Sequence, residues 1–170
     1  RRQRQMCIRD RGMSMHEHIL VPDFIDIERF PKIEGFYLQV IGKLGARLTS
    51  QSVSMKANGF FSDASSYIVL NRLVDNQSIA WLGFTRTGGG KFLTVVQIQG
   101  GTNISDLPKN WPQLLLQALI GSLDRELIGE VRVQPAKVNT WYSRKNSALC
   151  GRLITYYDRI PRRLGFTMAC

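Results

Sequence analysis

The feature that most constrains the fold of this chain is a strand–helix–strand unit in its C-terminal half. Residues 92–99 (FLTVVQIQ) are apolar and β-branched enough to form a sheet strand. Residues 110–127 carry apolar side chains at helical spacing, and residues 130–134 (EVRVQ) alternate like a second strand. A crossover of this length joins parallel neighbours in one sheet. The pattern therefore predicts an α/β fold with a parallel strand pair near its C-terminus.

Short connections upstream predict antiparallel strands. Residues 67–74, 79–85 and 92–99 are each strand-like and are separated by DNQS and RTGGGK, which are typical of turns between antiparallel neighbours. We expect a single domain with a mixed, mostly antiparallel twisted sheet and helices on both of its faces. Residues 31–48 are predicted as a further helix, because their apolar side chains recur at three- and four-residue steps. These side chains are Ile33, Tyr37, Val40, Ile41, Leu44 and Leu48.

The two ends of the chain carry little information on the fold. Residues 1–12 (RRQRQMCIRDRG) hold five arginines and no apolar run of the kind found in a signal peptide. This stretch resembles the translated read-through of a sequencing adapter, so we expect a non-native extension followed by one domain over residues 13–170, cut short where a further strand could begin. Cys150 and Cys170 are too few for a disulfide framework. With no apolar stretch long enough to cross a bilayer, we expect a cytoplasmic protein with no membrane span.

Positive charge is concentrated in the last quarter of the sequence. The chain has a formal net charge of +10, and residues 131–170 hold eight basic side chains against a single acid, Asp158. Such a balance favours an anionic partner: a nucleotide, a phosphate-bearing cofactor or a nucleic acid. A solvated basic surface without a partner is the alternative interpretation.

Three short motifs each lack residues that a phosphate-binding, metal-binding or catalytic site would require. The TGGGK stretch at residues 87–91 lacks the first Walker glycine, the serine or threonine after Lys91 and a following helix, so it is interpreted as a hairpin turn. His16 and His18 have no third ligand nearby, and no metal site is predicted. They are also the only histidines of the chain, which argues against Ser-His or Cys-His nucleophilic catalysis. No pair of carboxylates stands out as a general acid and base.

A crevice is expected where residues 92–99 end, because ligands of such sheets bind beyond the carboxyl ends of strands whose connections diverge. The amino end of the following helix, capped by Asn110 and favourable for anions, should lie on the same side. A tyrosine at this position could act as an acid towards a basic leaving group, although aromatic residues at such places are more often part of a core. The residues expected around the crevice are Gly100, Gly101, Asn110, Asn139, Tyr156 and Tyr157.

With these elements in place, residues 67–166 resemble the GNAT superfamily of acyl-CoA-dependent N-acyltransferases. Residues 92–99 resemble the fourth strand of that family, residues 110–127 the helix that follows, and residues 130–134 the fifth strand, splayed from the fourth. Asn139 resembles the asparagine after the fifth strand, and Leu-Gly-Phe at residues 164–166 resembles the closing signature. The pyrophosphate loop of the family is replaced here by GGTNISDLPK at residues 100–109, which contains an acid.

The resemblance implies transfer of an acyl group from acetyl-CoA or another acyl-CoA to an amine, on a small molecule or a protein. The cofactor would be held by the backbone of Val96, Gln97 and Ile98 at its pantetheine arm, by Gly100, Gly101 and Asn110 at its pyrophosphate, and by Arg144, Lys145 or Arg152 at its nucleotide phosphate. Asn139 would orient a water molecule or the new amide. Tyr157 would protonate the leaving thiolate, with Tyr156 as the alternative.

A second function remains open on the same fold. The missing pyrophosphate loop favours a non-catalytic module whose basic C-terminal third binds nucleic acid or an acidic partner. Salt dependence would separate the two functions, since nucleic-acid binding weakens steeply with salt through counterion release. A third class, a small structural protein of a phage or plasmid, is also compatible with the sequence.

Overall fold

A five-stranded sheet forms the centre of the chain, as shown by a computed structural model. The structure describes residues 4–7, 18–42, 59, 64–87, 90–102, 105–139, 142 and 146–167. The sheet strands are β3 (Phe36–Ile41), β4 (Ser66–Arg72), β5 (Ser78–Thr87), β6 (Phe92–Gly100) and β7 (Glu130–Val133). They lie in that same order across the sheet, antiparallel except for the parallel pair β6–β7. A separate antiparallel pair is formed by β1 (Arg4–Cys7), within the expected non-native extension, and β2 (His18–Val21).

The helical part of the described residues lies towards the C-terminus. Helix α1 spans Trp111–Ser122, α2 spans Ser147–Ile154, a π-helical turn covers Thr155–Arg159, and α3 is the short helix Ile160–Arg163. Two 3-10 turns occur at Ile27–Arg29 and Ala136–Val138. In the described part of the chain, no helix combines the length and the apolar character that crossing a membrane requires.

The mixed, mostly antiparallel sheet predicted from the sequence is confirmed. β4, β5 and β6 are antiparallel neighbours in succession, as the short connections between them predicted; residues 88 and 89 of the TGGGK stretch lie outside the described residues. The strand–helix–strand unit also has the predicted topology, because β6 and β7 are parallel neighbours joined through α1. The two strands pair over four residues each, from Phe92 opposite Glu130 to Val95 opposite Val133.

The helix predicted over residues 31–48 is wrong where the structure describes it, because Phe36–Ile41 is strand β3; residues 43–48 lie outside the described residues. Gly35 precedes it with a φ of +80°, a conformation that a helix cannot include. The apolar positions fit a strand equally well: Val40 lies opposite Ile68, and Ile41 lies opposite Tyr67. Pairing with β4 stabilises the extended form, whereas the glycines of this segment disfavour a helix.

The two faces of the sheet differ in what covers them. The helical face carries Ile68, Leu82 and Val95, which share one buried cluster with α1 and with Leu153 and Tyr157 of the C-terminal helical segment. The opposite face carries a smaller cluster of Ile41, Tyr67, Val69 and Trp81. Helices were predicted on both faces, but all those of the described residues contact the helical face.

Helix α1 begins where predicted and ends earlier. Pro112 lies in its first turn, but Asn110 is left-handed at φ 62° and its side chain makes no capping hydrogen bond. The helix ends at Ser122 rather than near residue 127. Leu123 already pairs with Ile25, so contact with the N-terminal segment stops the helix nearly two turns before Gly129.

Candidate functional site

The two parallel strands part after four residues. β6 continues to Gly100, whereas β7 ends at Val133. Gln134 and Pro135 follow β7, and the Gln134 N–H still donates to the Val95 carbonyl at 2.9 Å. The next N–H that a parallel ladder would direct towards β6 is that of Ala136, and it donates to Asp158 Oδ1 instead, so the ladder ends here. The outer edge of β6 beyond Val95 is therefore left without a strand partner among the described residues.

A β-bulge lies at the point of separation. Gly83 of β5 is opposite Gln97, and the next residue, Phe84, is opposite Val95. Val96 consequently has no partner on β5. A bulge bends its strand and redirects the backbone groups beside it, which is why bulges are frequent next to active sites.

A groove of about 910 Å³ opens beside this bulge and follows β7. We call it the edge groove; it lies between β7, the end of α1 and residues 157–167. Its apolar lining comprises Val96, Ile120, Val131, Val133, Leu164 and Phe166. Its charged lining comprises Arg125, Glu130, Arg132, Asp158 and Arg162. A half-apolar groove with several charged groups suits an elongated ligand with a polar end.

Two consecutive side chains of the π-helical turn bridge the separated strands. The N–H of Ile98, on β6, donates to the Tyr157 hydroxyl oxygen at 2.6 Å, and that hydroxyl contacts the Ile98 carbonyl at 3.4 Å. The N–H of Ala136, beyond β7, donates to Asp158 Oδ1 at 3.1 Å. Tyr157 is only 4% exposed. We call this pair the Tyr157–Asp158 bridge; it occupies the innermost part of the opening.

The sequence explains why the helical segment widens here. Pro161 follows the π-helical turn and lacks the N–H that would bond to the Tyr157 carbonyl in a regular helix. The N–H of Ile160 instead donates to the carbonyl of Thr155, five residues back. Such single π turns are often found at functional sites because they turn side chains out of the helical repeat.

The charged groups at the rim of the groove are partly paired with each other. Arg132 Nε donates to Glu130 Oε1 at 2.8 Å, and its guanidinium lies 4.1 Å from the centre of the Phe92 ring. The Arg132 hydrogen bond holds the pKa of Glu130 below its usual value. Of the two carboxylates in the groove, Glu130 forms an ion pair with Arg132, whereas Asp158 accepts a hydrogen bond from a backbone N–H.

The residues predicted to hold the pantetheine arm separate into different environments. Val96 lines the edge groove, and Ile98 is engaged by Tyr157. Gln97 is buried, and its Nε2 donates to Gln99 Oε1 at 2.8 Å. Only Val96 of these three therefore has backbone beside the groove and outside the Tyr157–Asp158 bridge.

The residues predicted to approach the phosphates serve the fold. The Gly101 N–H donates to the Ile79 carbonyl at 2.7 Å, so it extends the sheet. A Cβ on Gly100 would lie 3.0 Å from Trp111 and 3.2 Å from Leu107, which makes Gly100 a packing glycine. Asn110 precedes α1 in a left-handed conformation.

The predicted nucleotide-phosphate residues are only partly described. Arg152 is exposed on α2 and is not among the residues that line the groove. Arg144 and Lys145 lie outside the described residues.

Of the predicted catalytic residues, the structure brings only Tyr157 to the groove. The Tyr156 ring packs edge-on against Trp111 with centroids 5.2 Å apart, as expected for a core residue. Asn139 ends the 3-10 turn, where its N–H donates to the Ala136 carbonyl at 3.0 Å. Neither side chain lines the groove.

Sequence reasoning missed Asp158, which both lines the groove and fixes the segment after β7. A signal was present, because Asp158 is the one acid among the basic residues 131–170. Its partner is a backbone N–H, and a hydrogen bond to a charged carboxylate is stronger than one between neutral groups.

A scan against protein-family models, a search of curated proteins and a search of solved structures each returned no match. Among the described residues, no group of three or more histidine, cysteine or acidic side chains could hold a metal ion.

Proposed function

We propose that this chain transfers an acyl group from acyl-CoA to an amine, with the thioester bound in a GNAT-like manner where β6 and β7 separate. The observation that supports this most is the parting of two adjacent parallel strands beside the Val96 bulge. The pantetheine arm of CoA is an extended chain with two amides, which pair well with main-chain groups at an unpaired strand edge. The edge groove provides apolar surface for the rest of the arm.

The chemistry requires two proton transfers, and the groove holds one group for each. The amine attacks the thioester carbonyl carbon, the C–N bond forms as the C–S bond breaks, and the thiolate accepts a proton. Tyr157 donates that proton: its side chain lines the edge groove, and its hydroxyl lies at the backbone of Ile98, two residues beyond Val96. Asp158 accepts the proton that the amine nitrogen loses.

The Tyr157–Asp158 bridge decides where the cofactor lies. Because Tyr157 engages Ile98, the pantetheine arm pairs at Val96, one residue beyond the last β6–β7 pair. Because the Gly101 N–H is used by the sheet, the phosphates are bound by exposed arginines of the C-terminal helical segment, of which Arg152 is one. The missing pyrophosphate loop is consistent with this displaced arrangement.

Calorimetric titration of the full chain with acetyl-CoA tests binding. We expect saturable binding at one site that Val96→Phe weakens at least tenfold, because the larger ring fills the groove beside the bulge. Val74→Phe is the matched control, since Val74 is 86% exposed at the β4–β5 turn. Absence of heat together with absence of a thermal shift at millimolar acetyl-CoA would end the proposal.

Thiol release from acetyl-CoA, with a lysine-containing peptide or a polyamine as acceptor, tests the chemistry. Tyr157→Phe keeps the ring and removes the hydroxyl, so we expect release to fall by about 100-fold or more while acetyl-CoA binding persists. Equal rates in the variant and the parent protein would exclude Tyr157 as the acid.

A second candidate function, nucleic-acid binding without catalysis, is favoured by a specific feature of the surface. Arg152, Arg159, Arg162 and Arg163 are all exposed on the C-terminal helical segment. If they bind phosphates, the affinity for a single-stranded oligonucleotide should fall by about fivefold for each three-fold rise in salt when two contacts are made, and by about tenfold when three are made. Affinity that is independent of salt would exclude this candidate.

A further inference from the structure

The outer edge of the sheet at β7 is open. The strand order ends at β7, which pairs only with β6 among the described residues. In a strand, every second residue directs its N–H and C=O groups to one side, and the residues between them direct theirs to the other side. The outer row of β7 is therefore available to a further strand.

The edge groove runs along this open edge and is apolar on one side. Val131 and Val133 lie opposite Leu93 and Val95, so their half-buried side chains are on the helical face of the sheet. Ile120, Leu164 and Phe166 complete the apolar lining there. A strand added to β7 would place every second side chain over this lining, because side chains alternate between faces.

The other side of the edge is charged and specific. Glu130 and Arg132 lie on the opposite face and form an ion pair with each other. Short, charged edge strands of this kind discourage pairing with any apolar strand. An added strand must therefore carry polar side chains at its alternate positions.

The surrounding charge selects the sign of those side chains. Arg125 and Arg162 line the groove, and the two carboxylates within it accept hydrogen bonds, Glu130 from Arg132 and Asp158 from the Ala136 N–H. Arg159 and Arg163 are exposed on the adjoining helical segment. The side chains that line the groove therefore carry three positive charges against two negative ones, and the exposed arginines beside it add to the positive sign.

From these observations we infer that the open edge of β7 binds an extended acidic peptide as an added strand, with alternating apolar side chains over Val131 and Val133 and carboxylates on the other face, where Arg132 lies. Backbone hydrogen bonds to β7 provide the register, and the apolar and charged sides of the groove provide specificity. This binding does not depend on acyl transfer and is measured without acyl-CoA.

The probe is a fluorescein-labelled, end-capped octapeptide of alternating valine and glutamate, followed by anisotropy with the full chain. Two further peptides carry N-methyl groups, one on every valine and the other on every glutamate. Because alternate N–H groups of a strand point to opposite sides, we expect one methylated peptide to bind like the parent and the other to lose at least tenfold in affinity. No binding of the parent peptide, or the same affinity for both methylated peptides, would overturn the inference.

Charge variants separate this groove from the rest of the basic surface. Arg125→Glu should weaken binding of the parent peptide about fivefold or more, whereas Lys32→Glu, an exposed site outside the groove with the same change of charge, should leave the affinity unchanged. A peptide with lysine in place of glutamate should bind at least tenfold more weakly. Equal losses in the two protein variants, or binding of a single-stranded oligonucleotide but not of the peptide, would contradict an acidic peptide as the occupant.

Discussion

At the scale of single residues, the glycine of β5 shows how closely the opposite face of the sheet is packed. A Cβ on Gly83 would lie 2.7 Å from Ala64 Cβ, 2.8 Å from the Tyr67 ring and 3.1 Å from Gln97 Cβ. Contacts below 3.0 Å do not occur between real side chains, so the neighbours would have to move. The Tyr67 hydroxyl is held by the Ala64 backbone, which restricts such a movement.

Gly83→Ala should therefore lower the free energy of unfolding by about 1–3 kcal/mol, as in other overpacked cores. Gly121→Ala is the matched control: Gly121 is an exposed residue of α1 with open space at its Cβ. Alanine there should raise stability by about 0.5–1 kcal/mol, because it is the better helix former. Urea denaturation measures the change in the free energy of unfolding for both variants. A Gly83→Ala variant as stable as the parent protein would show that the neighbouring side chains move aside without a loss of stability.

Individual residues of the candidate site were harder to predict than the fold. Gly100 was predicted to approach a phosphate on the basis of the family resemblance, and that role stays a prediction; the structure adds that Trp111 packs close to it, which the sequence did not indicate. The sequence does not reveal which of two neighbouring tyrosines faces a groove. Tyr157 rather than Tyr156 does so because of the π-helical turn before Pro161, which simple helical spacing cannot anticipate.

At the scale of elements, the β4–β5 hairpin is tied to the segment before α1 by one arginine. Arg72 donates to both carboxylate oxygens of Asp75 and, at 2.7 Å, to Asp106 Oδ1. These hydrogen bonds keep the pKa of the Asp75 carboxyl below its usual value. The carboxylate therefore stays charged in the folded protein at a pH where it is protonated in the unfolded chain.

The stability that Asp75 contributes should depend on pH in one direction. Relative to Asp75→Asn, the parent protein should be more stable at neutral pH by up to about 1 kcal/mol, a small value because the pair is solvent-exposed. As the pH falls below about 4, the unfolded carboxyl and then the folded one become protonated, and the difference should vanish. Denaturation at pH 7 and pH 3 measures this, and a difference that grows on acidification would contradict the assignment.

Salt provides an independent check on the same interaction. Screening at about 1 M salt should reduce the difference in the free energy of unfolding between the parent protein and Asp75→Asn at pH 7, because the Debye length then falls to about 3 Å. A difference that salt leaves unchanged would mean that Asp75 acts through its hydrogen bond to the Gln77 N–H instead.

Elements could be predicted from sequence where local pattern and tertiary pairing agree. β5, β6 and β7 have β-branched or alternating sequences and short connections, and their existence and order were predicted correctly. Residues 36–41 were predicted as a helix because an apolar spacing of three and four also occurs in a strand with both faces buried. Pairing with β4, which lies beyond residue 65, decides whether residues 36–41 form a helix or a strand. The local sequence pattern contains no information about that pairing.

At the scale of the whole molecule, one arginine joins three segments that are far apart in sequence. Arg86 Nε donates to the Gly90 carbonyl at 2.7 Å and Nη2 to the Leu127 carbonyl at 3.4 Å. Its guanidinium also lies 3.7 Å from Asp23 and 5.0 Å from the centre of the Phe24 ring. The N-terminal segment, the β5–β6 turn and the residues after α1 thus meet on a single side chain.

Arg86→Lys should therefore be destabilising despite keeping the charge. A lysine ammonium cannot reach both carbonyls and stack on Phe24 at once, so we expect a loss of about 2 kcal/mol in the free energy of unfolding. Arg29→Lys is the control, since Arg29 forms only an exposed ion pair with Asp26 and should change stability by less than about 0.5 kcal/mol. Equal effects of the two substitutions would show that the bridging contacts of Arg86 add little.

The Tyr157–Asp158 bridge has a consequence for solvent access to the backbone. Consecutive residues of one turn protect the amides of Ile98 and Ala136, which are 38 residues apart and belong to different segments. A single local opening of the turn would release both amides, so their deuterium uptake should follow a common time course and a common denaturant dependence. Any molecule that binds and stabilises the C-terminal helical segment would then slow the exchange of both amides together, even if it contacts neither amide.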